Sequence, residues 1–195
     1  LDLQLNLYLR YPWADGEIVV ASGDVIVDFE TGQIPEARGD LCGFAARTST
    51  AQGAQHGVYS FDESGSGVKD YFQKQSEGYL RQHAVFEGTD SCAMDIGIVA
   101  LSPKFASSLL RVAEDALQFS ASPCFFNLYD EVLNCCIPGI DYGRYLARCG
   151  ESGIPSARKK RLFGGLHEFR LNGVLTEGTT FLHLGSLSEY PRACK

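Results

Sequence analysis

Residues 92–117, CAMDIGIVALSPKFASSLLRVAEDAL, constrain the fold more than any other stretch. From Cys92 to Leu101 the positions are apolar apart from Asp95 and rich in β-branched side chains, the pattern of a buried strand. Ser102 and Pro103 end that strand and begin a helix at once. Serine supplies an N-cap oxygen, and proline is tolerated in the first turn because its missing N–H would be unpaired there anyway. Phe105, Leu109, Leu110, Val112, Ala113, Ala116 and Leu117 then fall on one buried stripe at helical spacing. Strands that alternate with helices favour an α/β sheet over a β-sandwich.

The rest of the chain keeps this alternation. In GEIVVASGDVIVDFE the run Ile18, Val19, Val20 is interrupted by Ser22-Gly23-Asp24 and resumes over Val25 to Phe29, which predicts a buried strand ending near Asp24. Residues 31–55 carry turn chemistry (TGQIP, ARGD, RTSTAQG) around the short apolar LCGFAA. HGVYSFDESGSGVKDYFQKQ, residues 56–75, has two alternating runs around a Gly/Ser turn and reads as a hairpin whose second strand ends on Lys74. SEGYLRQHAVF reads as a short helix. CFFNLYDEVLNCC (124–136) is apolar at helical spacing, SARKKRLFGGLHEF (156–169) is a helix with a capping serine and a basic cluster, and FLHLGSLSEY (181–190) is a short strand and a turn. Residues 138–156 are the one linker-like segment. Leu1, Leu3, Leu5, Leu7 and Leu9 alternate as a strand would, while 1, 5 and 9 also share a helical face, so period leaves that segment open.

A chain of 195 residues and 21.3 kDa, 45% hydrophobic and 21% charged, fits one domain with a real core. The net charge of -7 and pI near 5.1 argue against a nucleic-acid partner, which calls for a basic stripe, but leave room for a small anionic ligand gripped by local cations or backbone amides. No uncharged apolar run reaches the roughly 18 residues of a membrane span, and no basic leader with an apolar stretch marks export. Seven cysteines, an odd number without C-x-x-C spacing, point to reduced thiols in the cytoplasm and away from a disulfide frame or zinc site. The chain opens on LDLQLNLYLRYPW, without an initiator Met, and on that ground reads as a piece of a longer polypeptide.

Five places carry candidate chemistry. Asp24 sits between two β-rich runs, where the carboxyl end of a strand can present a carboxylate to Mg²⁺ and phosphate oxygens; on local sequence alone a turn aspartate capping its own backbone is the simpler account. Lys74 is a point-charge partner for phosphate, or the ordinary lysine at the end of a surface hairpin. Asp95 and Gly97 lie on a run otherwise apolar enough to be buried, so Asp95 needs a backbone partner or the hydroxyls of a bound sugar. RKKR (158–161) could grip phosphate but reads more simply as a solvated helix face. His56, His83, His167 and His183 share no metal-ligand spacing, and no serine or cysteine has the context of a nucleophile, so each histidine reads as structural or hydrogen-bonding.

Taken in order, VVASGDVIV, GVYSFDESGSGVKDYFQKQ and MDIGIVALSP resemble the sugar-1-phosphate nucleotidyltransferases, whose pattern runs from a strand-end aspartate through a G-V-x-x-x-D hairpin to F-x-E-K-P and then a buried strand facing the sugar. Within that superfamily LDLQL, HGVYSFD, FQKQ, LYDEVL and FLHLGSLSEY are similar to the GDP-fucose pyrophosphorylases, including the bifunctional fucokinase/pyrophosphorylases, over nearly the whole chain.

The resemblance implies an α/β, partial Rossmann-like (GT-A-type) domain with a mixed sheet. It divides into an α/β core over 1–120, bearing the sugar-phosphate side of a site, and a helical part over 121–195 that ends in a short strand. It implies transfer of a guanylyl group from GTP to L-fucose 1-phosphate, with Asp24 on Mg²⁺, Lys74 on the sugar phosphate, the Gly57 backbone against the sugar, Asp95 and Gly97 facing its hydroxyls, and Asp130 or Glu131 completing that side. Two departures stand out: Gln75 replaces the pattern's proline, and the G-G-x-G-[TS]-R nucleotide loop belongs upstream of Leu1, as the left-handed β-helix belongs beyond Lys195. The expectation is therefore a sugar half of a site, inactive as this piece alone. The rivals are a degenerate, non-catalytic sugar-nucleotide-binding or interaction domain, and a pyrophosphorylase for another hexose 1-phosphate.

Overall fold

The computed structural model describes residues 18–28, 39–63, 65, 67–117, 127–149 and 155–184, with backbone alone at 114–117. These residues form two compact units, one from 18, 39–41 and 100–171 and the other from 19–28, 42–99 and 172–184. The fold is mixed α/β.

The second unit is built on a six-stranded sheet in the order β5-β4-β6-β3-β7, with β1 also pairing β6. Its strands are β1 (Ile18–Ala21), β3 (Leu41–Ser49), β4 (Gly57–Phe61), β5 (Val68–Gln73), β6 (Ser91–Leu101) and β7 (Leu171–Thr176); β2 (Val25–Asp28) and β8 (Thr180–His183) form a separate antiparallel ribbon. β6 sits centrally, which explains why it is the most apolar stretch of the chain: Cys92 to Ile96 and Val99 to Leu101 are all buried. β4 and β5 are the anticipated hairpin, antiparallel with Gly57 opposite Gln73 and Tyr59 opposite Tyr71. Val58, Phe72, Leu80, Ala84 and Cys92 close a core over it. Two short helices, α1 (Thr50–Gly53) and α2 (Glu77–His83), start where Ser49 and Ser76 accept from Gln52 N–H and Tyr79 N–H.

Two expectations fail in this unit. LCGFAARTS is a nine-residue strand with Leu41 to Ala46 buried, not turn chemistry around a short apolar patch. The strands flanking Asp24 are not buried: Val19 is 62% and Ile26 49% exposed, and both strands alternate half-buried with exposed residues. The cause is topological, since a ribbon strand such as β2 has only one face to bury.

The first unit is helical. Ser102 caps α3 (Pro103–Leu117) as its sequence promises, Phe105 N–H donating to Ser102 Oγ at 3.1 Å, while Ser102 Oγ itself donates to Asp40 Oδ1 at 2.7 Å. Phe105, Ala106, Leu109 and Val112 are the buried stripe. LYDEVL is a π-helix, Leu128–Leu133, in which Asn127 C=O accepts from both Glu131 and Val132 N–H. The linker-like 138–156 contains a helix, α4 (Tyr142–Arg148), capped by Asp141 and anchored by buried Tyr145. Pro138 and Gly139 precede that helix, and residues 150–154 lie outside the described residues. In α5 (Ser156–Leu166) the N-cap is Pro155, with no side-chain cap bond, so Ser156 does not cap. Lys159 is buried together with Leu162 and Leu166, so RKKR is not uniformly a solvated face.

Candidate functional site

The Asp24 turn is tied down at both ends. Ser22 N–H donates to Gly97 C=O at 2.8 Å, and Leu184 N–H donates to Asp24 C=O at 2.7 Å, where β2 and β8 run in register from Val25 opposite His183. The Asp24 carboxylate stays exposed, with Oδ2 3.3 Å from His183 Nε2.

The base of the hairpin lies in the same unit. Lys74 follows the last strand residue with φ 48°, the one non-glycine left-handed residue among the described residues. That conformation costs about 1–2 kcal/mol, because Cβ crowds the carbonyl that follows it. Lys74 N–H donates to His56 C=O at 3.0 Å, which holds the kink, and its side chain is exposed. The His56 ring stands edge-on to Phe181 and to His183, each at 5.3 Å between centroids, and those two rings are parallel at 6.4 Å. One chain of contacts therefore runs from the Lys74 kink through His56 and His183 to Asp24.

Asp95 finds its partners inside the protein. It is 5% exposed; Oδ2 accepts from Tyr59 Oη at 2.9 Å and Tyr71 Oη at 3.1 Å, and Oδ1 accepts from Gly97 N–H at 2.7 Å. Burial pushes its carboxyl up to about 6, against the three hydrogen bonds that favour the charged form. Space for the phenols comes from glycine: a Cβ at Gly43 would fall on Tyr59 Oη, and one at Gly57 on Tyr71 Oη. Gly57 is thus accounted for by Tyr71, without a sugar at that position. Gly97 has φ 75°, and a Cβ there would lie 2.9 Å from Ser22 Oγ.

Asp130 and Glu131 belong to the first unit and have contacts of their own. Glu131 is fully buried, its Oε2 accepting from Asn127 N–H at 2.8 Å while Asn127 Oδ1 accepts from Tyr129 and Asp130 N–H, a reciprocal cap of the π-helix. Asp130 Oδ2 accepts from Asn127 Nδ2 at 2.8 Å. The five described cysteines are free and buried, and burial raises the thiols of Cys92, Cys135, Cys136 and Cys149, which keeps them neutral and weakly nucleophilic. Cys124 and Cys194, like Leu1 to Leu9, lie outside the described residues. Among the described residues no group of three or more His, Cys, Asp or Glu could hold a metal ion, and no helix is long and apolar enough to cross a membrane.

Sequence reasoning passed over Tyr59, Tyr71 and Gln73, and left His56 and His183 as unplaced structural histidines. Their signal was period two: Gly57-x-Tyr59, Tyr71-x-Gln73 and Phe181-x-His183 each put a pair on one strand face. Register then sets the first two pairs opposite each other.

The family model of the fucose pyrophosphorylase domain matches residues 1–193. The chain belongs to the fucose pyrophosphorylase family. No curated protein matches it. Among solved structures, the crystal structure of HddC from Yersinia pseudotuberculosis shares its fold at TM-score 0.51 and 14% identity, covering 99% of this chain and 60% of that one. The crystal structure of the same protein complexed with GMP-PN gives TM-score 0.52 at 12% identity, with the same coverage. This fucose pyrophosphorylase domain therefore spans 60% of the length of the HddC chains.

Proposed function

We propose that the protein to which this fucose pyrophosphorylase domain belongs is a sugar-1-phosphate nucleotidyltransferase that forms GDP-L-fucose and pyrophosphate from GTP and L-fucose 1-phosphate. The family supports the sugar, and the GMP-PN complex of HddC, which shares the fold, supports a guanine nucleotide. One observation of the domain's own carries the reading most: the exposed Asp24 carboxylate and the left-handed Lys74 stand at the two ends of one contact chain, through His183 and His56. A backbone strained at the residue that carries the cation makes sense where its direction matters.

A phosphate oxygen of fucose 1-phosphate attacks the α-phosphorus of GTP, the bond from that phosphorus to the bridging oxygen breaks, and pyrophosphate leaves with the electron pair. Little covalent work falls to the protein, which positions the groups and neutralises charge. Lys74 supplies a cation for the sugar phosphate. Asp24 offers one exposed carboxylate, which belongs to no group of three or more His, Cys, Asp or Glu among the described residues. Asp24 would hold Mg²⁺, a cation commonly bound through one or two carboxylates together with substrate phosphates. When bound there, Mg²⁺ would supply positive charge to neutralise the triphosphate. His183 orients the Asp24 carboxylate, and the His56 carbonyl fixes the course of the chain at Lys74.

The test is pyrophosphate release by the full-length protein from GTP, ATP and UTP, each with L-fucose 1-phosphate, mannose 1-phosphate or glucose 1-phosphate. GTP with L-fucose 1-phosphate is expected to lead. Another preferred pair would overturn the substrates while keeping the class, and no release from any pair would remove the enzyme reading in favour of a binding domain.

A further inference from the structure

We propose that Asp95 is a positioning residue for the Asp24 turn and makes no contact with the sugar. This rests on the reading of Asp24 given above, and it reassigns a carboxylate that a sugar site would otherwise claim.

Asp95 has little left to offer a ligand, since three of its roughly four acceptor positions are filled from inside. It is buried, and both its oxygens are engaged from inside, one by two phenols and the other by Gly97 N–H. The bond to Gly97 runs two residues along the same strand, so it shapes the strand itself: it pins Gly97 at φ 75°, a conformation that breaks the regular course of β6. The consequence appears on the next strand. The Gly97 carbonyl receives Ser22 N–H at 2.8 Å, and the site of a Cβ on Gly97 is filled by Ser22 Oγ at 2.9 Å, Ser22 Cβ at 3.1 Å and Val25 Cγ1 at 3.6 Å. Ser22 and Val25 bracket Asp24. The kink therefore forms the floor on which the Asp24 turn rests, and Asp95 forms the kink.

The phenols complete the device. Tyr59 and Tyr71 come from two paired strands, each admitted by a glycine, Gly43 and Gly57, that leaves room for the ring. A buried carboxylate with too few donors would rotate away or take up a proton. Two phenols on Oδ2 fix its plane, so that Oδ1 is aimed at Gly97 N–H.

Amide hydrogen exchange on the full-length protein tests this without relying on turnover. In Asp95→Ala the protection of the Ser22 and Gly97 amides falls about five- to tenfold, as losing about 1–1.4 kcal/mol of local hydrogen bonding requires, while the amides of the Val58–Met94 ladder keep theirs. Asp95→Asn retains an acceptor for Gly97 N–H and retains the protection. Gly97→Ala leaves the carboxylate and both phenols in place yet reproduces the loss, and it carries the test should Asp95→Ala not fold. In the enzyme assay, Asp95→Ala and Gly97→Ala raise the Mg²⁺ concentration for half-maximal rate about five- to tenfold, the same free energy expressed as affinity, with KM for L-fucose 1-phosphate within about twofold. Unchanged Ser22 protection, or a KM for the sugar phosphate that rises in Asp95→Ala but not in Gly97→Ala, overturns the proposal and returns Asp95 to the sugar. A full-length protein with no transferase activity would defeat the enzyme reading alone, because the exchange data would still decide what holds the Asp24 turn.

Discussion

Replacing Asp95 by asparagine should change how the protein's stability depends on pH. In the unfolded chain this carboxyl titrates near its ordinary 3.8, and in the folded protein burial moves it up to about 6. Between those values the folded state binds a proton that the unfolded state has released, so stability falls as pH rises. Asp95's contribution is complete below 3.8 and is lost as pH climbs through 6. That difference corresponds to about 3 kcal/mol, most of which falls between pH 4 and pH 7. Asparagine has the same shape, keeps an oxygen for Gly97 N–H, and does not titrate. Urea unfolding of wild type and Asp95→Asn at both pH values, taken as a difference of differences, cancels the other titrating groups. Wild type should lose about 2 kcal/mol relative to the variant on going from pH 4 to pH 7, a relative midpoint shift of roughly 1 M at a urea slope near 2 kcal/mol/M. A gap that stays constant with pH would show that Asp95 titrates alike in both states, and the claim that burial outweighs its three hydrogen bonds would be wrong.

Further substitutions probe the close approaches and the strained residue. Gly57→Ala forces Tyr71 off Asp95, and should cost about 3 kcal/mol or more in denaturant unfolding, since it overpacks a core and breaks a hydrogen bond to a buried carboxylate. Gly165→Ala would drive a methyl into Val112 and should cost about 1–3 kcal/mol, much of it recovered in the double variant with Val112→Ala, because the clash is with that side chain alone. Lys74→Ala should raise KM for L-fucose 1-phosphate by roughly tenfold or more, the weight of a hydrogen-bonded charge of about 1.5–3 kcal/mol. Lys74→Gly should lose the same affinity while melting no lower than wild type, with up to about 1 kcal/mol gained from relief of the left-handed backbone; a glycine variant less stable than the alanine variant would refute the strain.

What the sequence disclosed depended on how local the controlling physics was. The strand over 91–101 and its helix were legible because burial on two faces and a Ser-Pro start are written into adjacent residues. The hairpin over 57–73 was legible for the same reason, in its alternation and its Gly/Ser turn. The strands around Asp24 were misjudged because Val19 and Ile26 look buried in any hydropathy count, and only the partner strand decides which face meets water. Tyr145 was overlooked inside a Pro/Gly-flanked segment because one buried aromatic ring anchors a seven-residue helix that has no long stripe. At the candidate site Asp24 and Lys74 were nameable from residue type and position, whereas His56 and His183 gain meaning only from a meeting of β8 with the hairpin base that no local pattern encodes.

The Asp95 network also explains how this sheet protects its register. Side chains alternate across a strand, so a slip of one residue between β4 and β5 would carry Tyr71 to the opposite face and set its ring against a position with a Cβ in place of Gly57. Asp95 would then keep a single phenol in a buried place, and an under-paired buried carboxylate costs several kcal/mol, comparable to a large part of a domain's net stability. Hydrophobic alternation alone penalises such a slip in proportion to the apolar area exposed, and the hairpin's second strand, VKDYFQ, has only Val68, Tyr71 and Phe72 to expose. The polar lock therefore contributes specificity that the apolar residues cannot, and it does so where misregister would also displace Gln73 and the strained Lys74 that follows it. Fold specificity and the candidate chemistry of this hairpin thus draw on the same two glycines and two phenols.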